Sequence, residues 1–213
     1  MAKRTAAGAA QTRQRVIDAA IALFSQHGVH AATLEDVALQ ACVTRGAVYG
    51  HFGGKPALLA AVLAGLRWPL DIGDDLWGYA MHPRPLQLLH AHLHAKWMQC
   101  VQGDPQWPVL RLVLRQADCA QWPQPAIDQI DRLKARAIAN LGYVMRAACK
   151  RNQLRADMTP EAAARYLHAV GIGLLREHTG ALADGVHIDI QPCLRACFDG
   201  IENIHQTATT EAI

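Results

Sequence analysis

The sequence predicts an all-α protein, with a three-helix N-terminal domain and a larger C-terminal helical bundle. Three observations carry this fold class. Apolar residues recur at helical spacing, while strand-like alternation is nearly absent. Two short helical stretches separated by a tight turn lie inside residues 33–55. Beyond them, prolines at 69, 83, 85, 105, 108, 123 and 125 punctuate a series of apolar-periodic segments.

In chain order, Val16, Ala19, Ala20, Leu23 and Phe24 make one face of a first helix, which Gly28 ends as a left-handed C-cap. Thr33-Leu34-Glu35-Asp36 has the form of a capping box, with the Thr33 hydroxyl facing an exposed amide. The short helix behind it buries Leu34, Val37, Ala38 and Ala41. After a turn at Cys42-Val43, Thr44 caps a third helix running from Arg45 to Phe52, and Gly53-Gly54 ends it. Pro56 falls in the first turn of a fourth helix carrying Leu58, Leu59, Val62, Leu63 and Leu66. Further helices are expected over residues 85–102, 105–118, 124–152, 160–182 and 189–204. The expected domains are a basic flexible arm (1–10), a helix-turn-helix domain (11–55), a helical bundle (56–206) and a flexible tail (207–213).

Composition removes several classes. The 213 residues are 51% hydrophobic and 18% charged, too apolar for a disordered chain. No apolar run approaches the ~20 residues of a membrane span. The first residues carry Lys3 and Arg4 but no hydrophobic stretch behind them, so a cytoplasmic location with no membrane partner is expected. The net charge of +3 is localised: the stretch up to Lys55 holds six cations and three anions, and the remainder cancels. A basic end of this kind suits an anionic partner.

Residues 33–55 carry the chemistry for that partner. A short helix, a turn and a second short helix form a helix-turn-helix. The exposed start of the third helix is Thr44-Arg45-Gly46. A DNA-reading helix needs a long cation that can fork onto guanine O6 and N7, beside a residue small enough for close approach. Tyr49, one turn on, offers a phenol to a phosphate oxygen and a ring to a thymine methyl. His51, Lys55 and the amides opening the fourth helix would meet adjacent phosphates. Taken singly, Thr33 and Thr44 are also ordinary helix caps, Tyr49 an ordinary core aromatic, and Arg45 an ordinary surface cation. Their conjunction in one short window is what argues for double-stranded DNA.

The stretch from Thr12 to Leu63 resembles the DNA-binding domain of TetR-family repressors. Thr33-Leu34-Glu35-Asp36-Val37-Ala38 and Val43-Thr44-Arg45-Gly46-Ala47-Val48-Tyr49-Gly50-His51-Phe52 carry the resemblance. It is closest to the AcrR-like branch that controls multidrug efflux pumps. The resemblance implies a homodimer reading two half-sites of a pseudo-palindromic operator, with Thr33, Thr44, Tyr49, His51 and Lys55 on phosphates and Arg45, Gly46 and Tyr49 facing bases. Three positions depart from the pattern: Cys42 where the turn commonly has Gly, Gly50 where an aromatic is usual, and Gly53-Gly54 where Lys or Asn is common. Gly50 is expected to remove a packing side chain and loosen the recognition helix.

All five tryptophans, Trp68, Trp77, Trp97, Trp107 and Trp122, follow this region. Each is core material taken alone, yet together they suit a site for flat hydrophobic molecules. The resemblance implies such a pocket, and periodicity nominates Trp68, His94, Trp97, Leu114 and Met145 as lining. Ala163, Leu167, Val170, Gly171, Leu174 and Leu175, with Leu194, Cys197, Phe198 and Ile201, form apolar stripes on the last two helices. These read either as intramolecular core or, as the resemblance implies, as a two-fold four-helix dimer interface.

No cofactor or metal site is expected. His90 and His94 share a helical face but His92 does not, and Cys193 and Cys197 lack the second pair that a zinc site needs. No nucleophile-base arrangement, Gly-rich phosphate loop or GxSxG stands out, so an enzyme is not expected. The expected function is a repressor of an efflux or detoxification operon, released from its operator by a hydrophobic small molecule. Three rivals remain at this point: a redox or metal sensor using Cys42, Cys100, Cys119 or the histidines, a helical small-molecule-binding protein with impaired DNA binding, and, a distant third, a metal-dependent enzyme.

Overall fold

The computed structural model describes residues 2–101, 107–115, 122–183 and 189–203. The expected tail and Cys119 lie outside the described residues, as do the side chains of Lys3, Arg4 and Cys100. Among those described there is no strand, only an isolated antiparallel bridge between Leu154 and Glu202. The helices are α1 (Ala2–Ala31), α2 (Leu34–Gln40), α3 (Arg45–Phe52), α4 (Lys55–Leu63), α5 (Leu76–Met81), α6 (Pro85–Val101), α7 (Trp107–Arg115), α8 (Gln124–Lys150), α9 (Pro160–Ala183) and α10 (Ile190–Asp199).

They fall into two compact units, Met1–Leu66 with Pro105–Asp131, and Arg67–Asp104 with Arg132–Ile213. In the first, α1 packs against α2, α4 and α7. Val16, Ala20 and Phe24 of α1 are buried with Val37 of α2, Val48 of α3 and Leu58, Leu59 and Leu63 of α4. α2 and α3 are too short to stand alone in water, so this shared core is what holds them. α1 includes the stretch expected as an arm, with Ala6–Ala10 all exposed. Gly28 breaks α1 at φ 81°, ψ 156°, and one further turn follows it before Thr33.

In the second unit, α6 and α9 pack with α10, and α5 packs on α6. Its core includes Trp68, Leu70, Leu89, Leu93, Trp97, Leu141, Met145, Leu167, Leu194 and Phe198. Asp71 pins the segment before α5 to α8: it accepts from Asn140 Nδ2 at 2.8 Å and pairs with Arg136 Nε at 3.0 Å. α5 is absent from the sequence expectation. Its six residues are too few for a periodicity, but Asp75 caps it, accepting from the Gly78 amide at 3.2 Å. α10 stops at Asp199, short of residue 204, because Arg155 takes the Ile201 carbonyl and Asn203 donates to Gln153.

Candidate nucleic-acid interface

The cap expected at Thr33 is fully formed. Its Oγ1 accepts from the Asp36 amide at 3.1 Å, while its own amide donates to Asp36 Oδ2 at 3.0 Å and its hydroxyl to the same oxygen at 2.6 Å. These bonds, the side-chain one first, hold the Asp36 carboxyl below the usual carboxylate range. α2 then buries Leu34, Val37 and Ala38. It ends at Ala41, and Val43 donates back to Ala38 at 3.0 Å.

Cys42 makes the turn with φ 53°, the left-handed conformation in which glycine is at ease. Arg15 of α1 reaches this turn: its Nη2 donates to the carbonyls of Ala41 and Cys42, the latter at 3.0 Å. The cation thus caps two carbonyls at the end of α2. The sequence pattern missed Arg15. Its only signal is a cation adjoining the apolar stripe of α1, across from a helix end that lacks a glycine.

α3 begins at Thr44, whose Oγ1 accepts from the Ala47 amide at 3.2 Å. Val48 and Phe52 point into the core, so the opposite face carries Arg45, Gly46, Tyr49 and Gly50, all exposed. A Cβ at Gly50 would meet nothing within 4 Å, so no packing is missing there, contrary to expectation. With Gly46 meeting only the Thr44 Oγ1, 3.9 Å from an added Cβ, the face is low in relief between Arg45 and Tyr49. Gly53 closes the helix at φ 70°, donating to the Tyr49 carbonyl at 2.8 Å.

Arg45 and Tyr49 work as a pair. The guanidinium lies over the phenol ring, 5.3 Å from its centroid, and donates to the hydroxyl at 3.4 Å. It also pairs with Glu35 of α2 at 2.7 Å. Tyr49 first and Glu35 second raise the Arg45 pKa further. Glu35 was expected only as part of a cap; nothing in the spacing of α2 shows that it faces Arg45.

Lys55 opens α4 and donates to the His30 carbonyl at 2.8 Å, just past the break at Gly28, and burial lowers its pKa. His51 is half-buried, its ring 6.1 Å from that of Phe52, which Arg13 covers at 5.2 Å. The structure therefore gathers Thr44, Arg45, Gly46 and Tyr49 on one helix face. Thr33, His51 and Lys55 flank it from neighbouring helix ends and are engaged in local contacts.

The nominated ligand residues belong to both units. Trp68, His94, Trp97 and Met145 belong to the second unit, whereas Leu114 sits on α7 in the core of the first. Trp68 donates to His168 Nε2 at 2.9 Å, and the two rings stack. Trp97 is buried with no partner for its indole nitrogen among the described residues. His94 stacks on His90, and His92 meets the Tyr79 hydroxyl at 2.7 Å.

The nominated dimer residues divide by their burial within the single chain. Leu167, Leu194, Phe198 and Ile201 are buried within the single chain. Gly171 is buried as well, where an added Cβ would come within 3.0 Å of Leu70 Cδ1. Val170 and Leu174 are only half-buried and retain surface for a partner. An apolar stripe has the same period whether it faces its own chain or another copy, which is why the sequence left both readings open.

Comparison with known proteins places this geometry in context. Residues 16–62 match the model of bacterial regulatory proteins of the tetR family. The chain is 29% identical over 175 residues to the HTH-type transcriptional repressor BepR of Brucella suis biovar 1 (strain 1330), covering 82% of this chain and 84% of BepR. It is 56% identical over 72 residues to the HTH-type transcriptional regulator SrpR of Pseudomonas putida, a match that spans 34% of each protein. Among solved structures, the SmeT–triclosan complex superposes with a TM-score of 0.73 at 27% identity, covering 91% of this chain and 92% of SmeT. SmeT is the repressor of the Stenotrophomonas maltophilia multidrug efflux pump SmeDEF.

Proposed function

Since the chain belongs to the TetR family and is a transcriptional repressor related to those of multidrug efflux operons, we propose that α3 reads a pseudo-palindromic operator and that a hydrophobic small molecule releases it. The observation that carries this reading is the exposed face of α3. Arg45 and Tyr49 stand either side of Gly46 and Gly50, while Val48 and Phe52 anchor the helix from behind. Two glycines let the helix backbone approach base edges closely, and Arg45 supplies the fork for guanine. Thr33, Thr44, His51 and Lys55 position the head on phosphates.

The exposed Glu35–Arg45 pair is weak enough to yield to a base. In this reading residues 11–55 form the head and 56–206 serve ligand binding and dimerisation in the cytoplasm. A second copy docks on α9 around Val170 and Leu174, giving the two-fold symmetry that a palindrome needs. In this reading the effector enters the second unit beside Trp68, His94, Trp97 and Met145, for which hydrophobic aromatic compounds are the fitting class. SmeT, similar in structure to this chain, forms a complex with the aromatic compound triclosan.

The test is a footprint on the chain's own upstream DNA, followed by titration with flat hydrophobic compounds. Protection of two half-sites about one helical turn apart, centre to centre, is expected, with loss of protection on adding an effector. Protection that no bound compound alters would refute the ligand response.

A further inference from the structure

The first unit contains a cleft of its own, of about 820 Å³, walled by Asp18, Ile21, Ala22 and Ser25 of α1 and by Pro108, Arg111 and Arg115 of α7. That size falls within the range of small-molecule sites. The walls follow from helical spacing: residues 18, 21, 22 and 25 share one face of α1, and 108, 111 and 115 one face of α7. Val109, Leu110, Val113 and Leu114 hold α7 in place by their burial.

The lining holds two guanidiniums and one carboxylate, so it carries an excess of positive charge. The Arg111 Nε is buried and has no hydrogen-bond partner among the described residues. A buried guanidinium N–H without an acceptor is costly, and since Arg111 also lines the cleft, an anionic oxygen there is the partner that best offsets the charge of the group. Ile21, Ala22 and Leu112 supply an apolar wall beside it.

We propose that this cleft binds an organic monocarboxylate with an apolar body, its carboxylate on Arg111 and Arg115 and its hydrocarbon against Ile21, Ala22 and Leu112. This site is separate from the aromatic lining of the second unit, and its occupancy does not depend on the DNA-reading proposal. A regulatory consequence does rest on that proposal. Asp18 lies one helical turn after Arg15, which clamps the turn between α2 and α3, so a ligand wedged against α1 disturbs the support of α3.

The test is calorimetry on the full chain without DNA, using 1-naphthoate and decanoate as probes and 1-naphthamide as the neutral control. One carboxylate per chain is expected to bind. The amide and the Arg111→Gln variant should each bind about tenfold more weakly or worse, the loss of a charge-assisted bond. Ala22→Phe, which fills the cleft without changing its charge, should also abolish binding and covers the case in which Arg111→Gln fails to fold. No binding of either carboxylate, equal binding of the amide, or wild-type binding by folded variants would overturn the proposal. DNA release by the carboxylate is then read by anisotropy. Because calorimetry contains no DNA, failure of the site and failure of the DNA reading are distinguishable.

Discussion

Arg45 Nη1 lies 2.7 Å from Glu35 Oε1, so a carboxylate of α2 holds the cation that opens α3. The two side chains are 61% and 51% exposed, and an ion pair that open contributes little to stability. In the proposed reading its effect is on binding, where Glu35 competes with a base for the guanidinium. Glu35→Gln should leave the melting temperature nearly unchanged and tighten DNA binding by up to about fivefold, the worth of one exposed pair. Anisotropy on an operator duplex reads the change.

The turn between α2 and α3 places Cys42 at φ 53°. A residue with a Cβ is strained there and glycine is not. Cys42→Gly should therefore stabilise the chain by about 1 kcal/mol, whereas Arg15→Ala, which frees the carbonyls of Ala41 and Cys42, should destabilise it by about 1 kcal/mol. Urea melts of both variants measure this opposition.

Gly50 lies in the interior of α3 with open space where its Cβ would be. The glycine therefore costs helix stability without relieving any crowding. Gly50→Ala should raise stability by about 0.5–1 kcal/mol, and denaturant melts would detect it.

His168 accepts from the Trp68 indole through Nε2, which requires a neutral ring. Burial first, and then Lys134, lowers its pKa below the ordinary histidine value of 6.5; burial also lowers the pKa values of His90 and His92. Below about pH 6.5 the unfolded chain thus binds protons that the folded chain refuses, so stability falls as pH falls through that value. Melting temperatures from pH 7.5 to 5.5 should decline, and His168→Gln should flatten part of the decline.

The helical class and the caps at Thr33 and Thr44 were legible because each has a local cause: a 3.6-residue period, or a hydroxyl three residues from an amide. The face of α3 was legible for the same reason, since Val48 and Phe52 fix which side points outward. What stayed hidden depends on tertiary contact. Arg15 reaches Ala41 across 26 residues, and Glu35 meets Arg45 only because two short helices cross. Leu167, Gly171 and Phe198 showed an apolar stripe without showing whose core it fills. The α1–α7 cleft joins segments nearly ninety residues apart, and no periodicity reports that.

The central claim is that the Arg45–Tyr49 face of α3 contacts operator DNA. The most direct measurement is binding of the full chain to its own upstream DNA at two salt concentrations, beside the Arg45→Ala, Tyr49→Ala double variant. The account predicts tight binding that weakens steeply with salt, and a folded double variant that loses sequence preference with at least about a tenfold drop in affinity. A double variant that binds the same DNA as tightly as the wild type, with the same salt dependence, would contradict it.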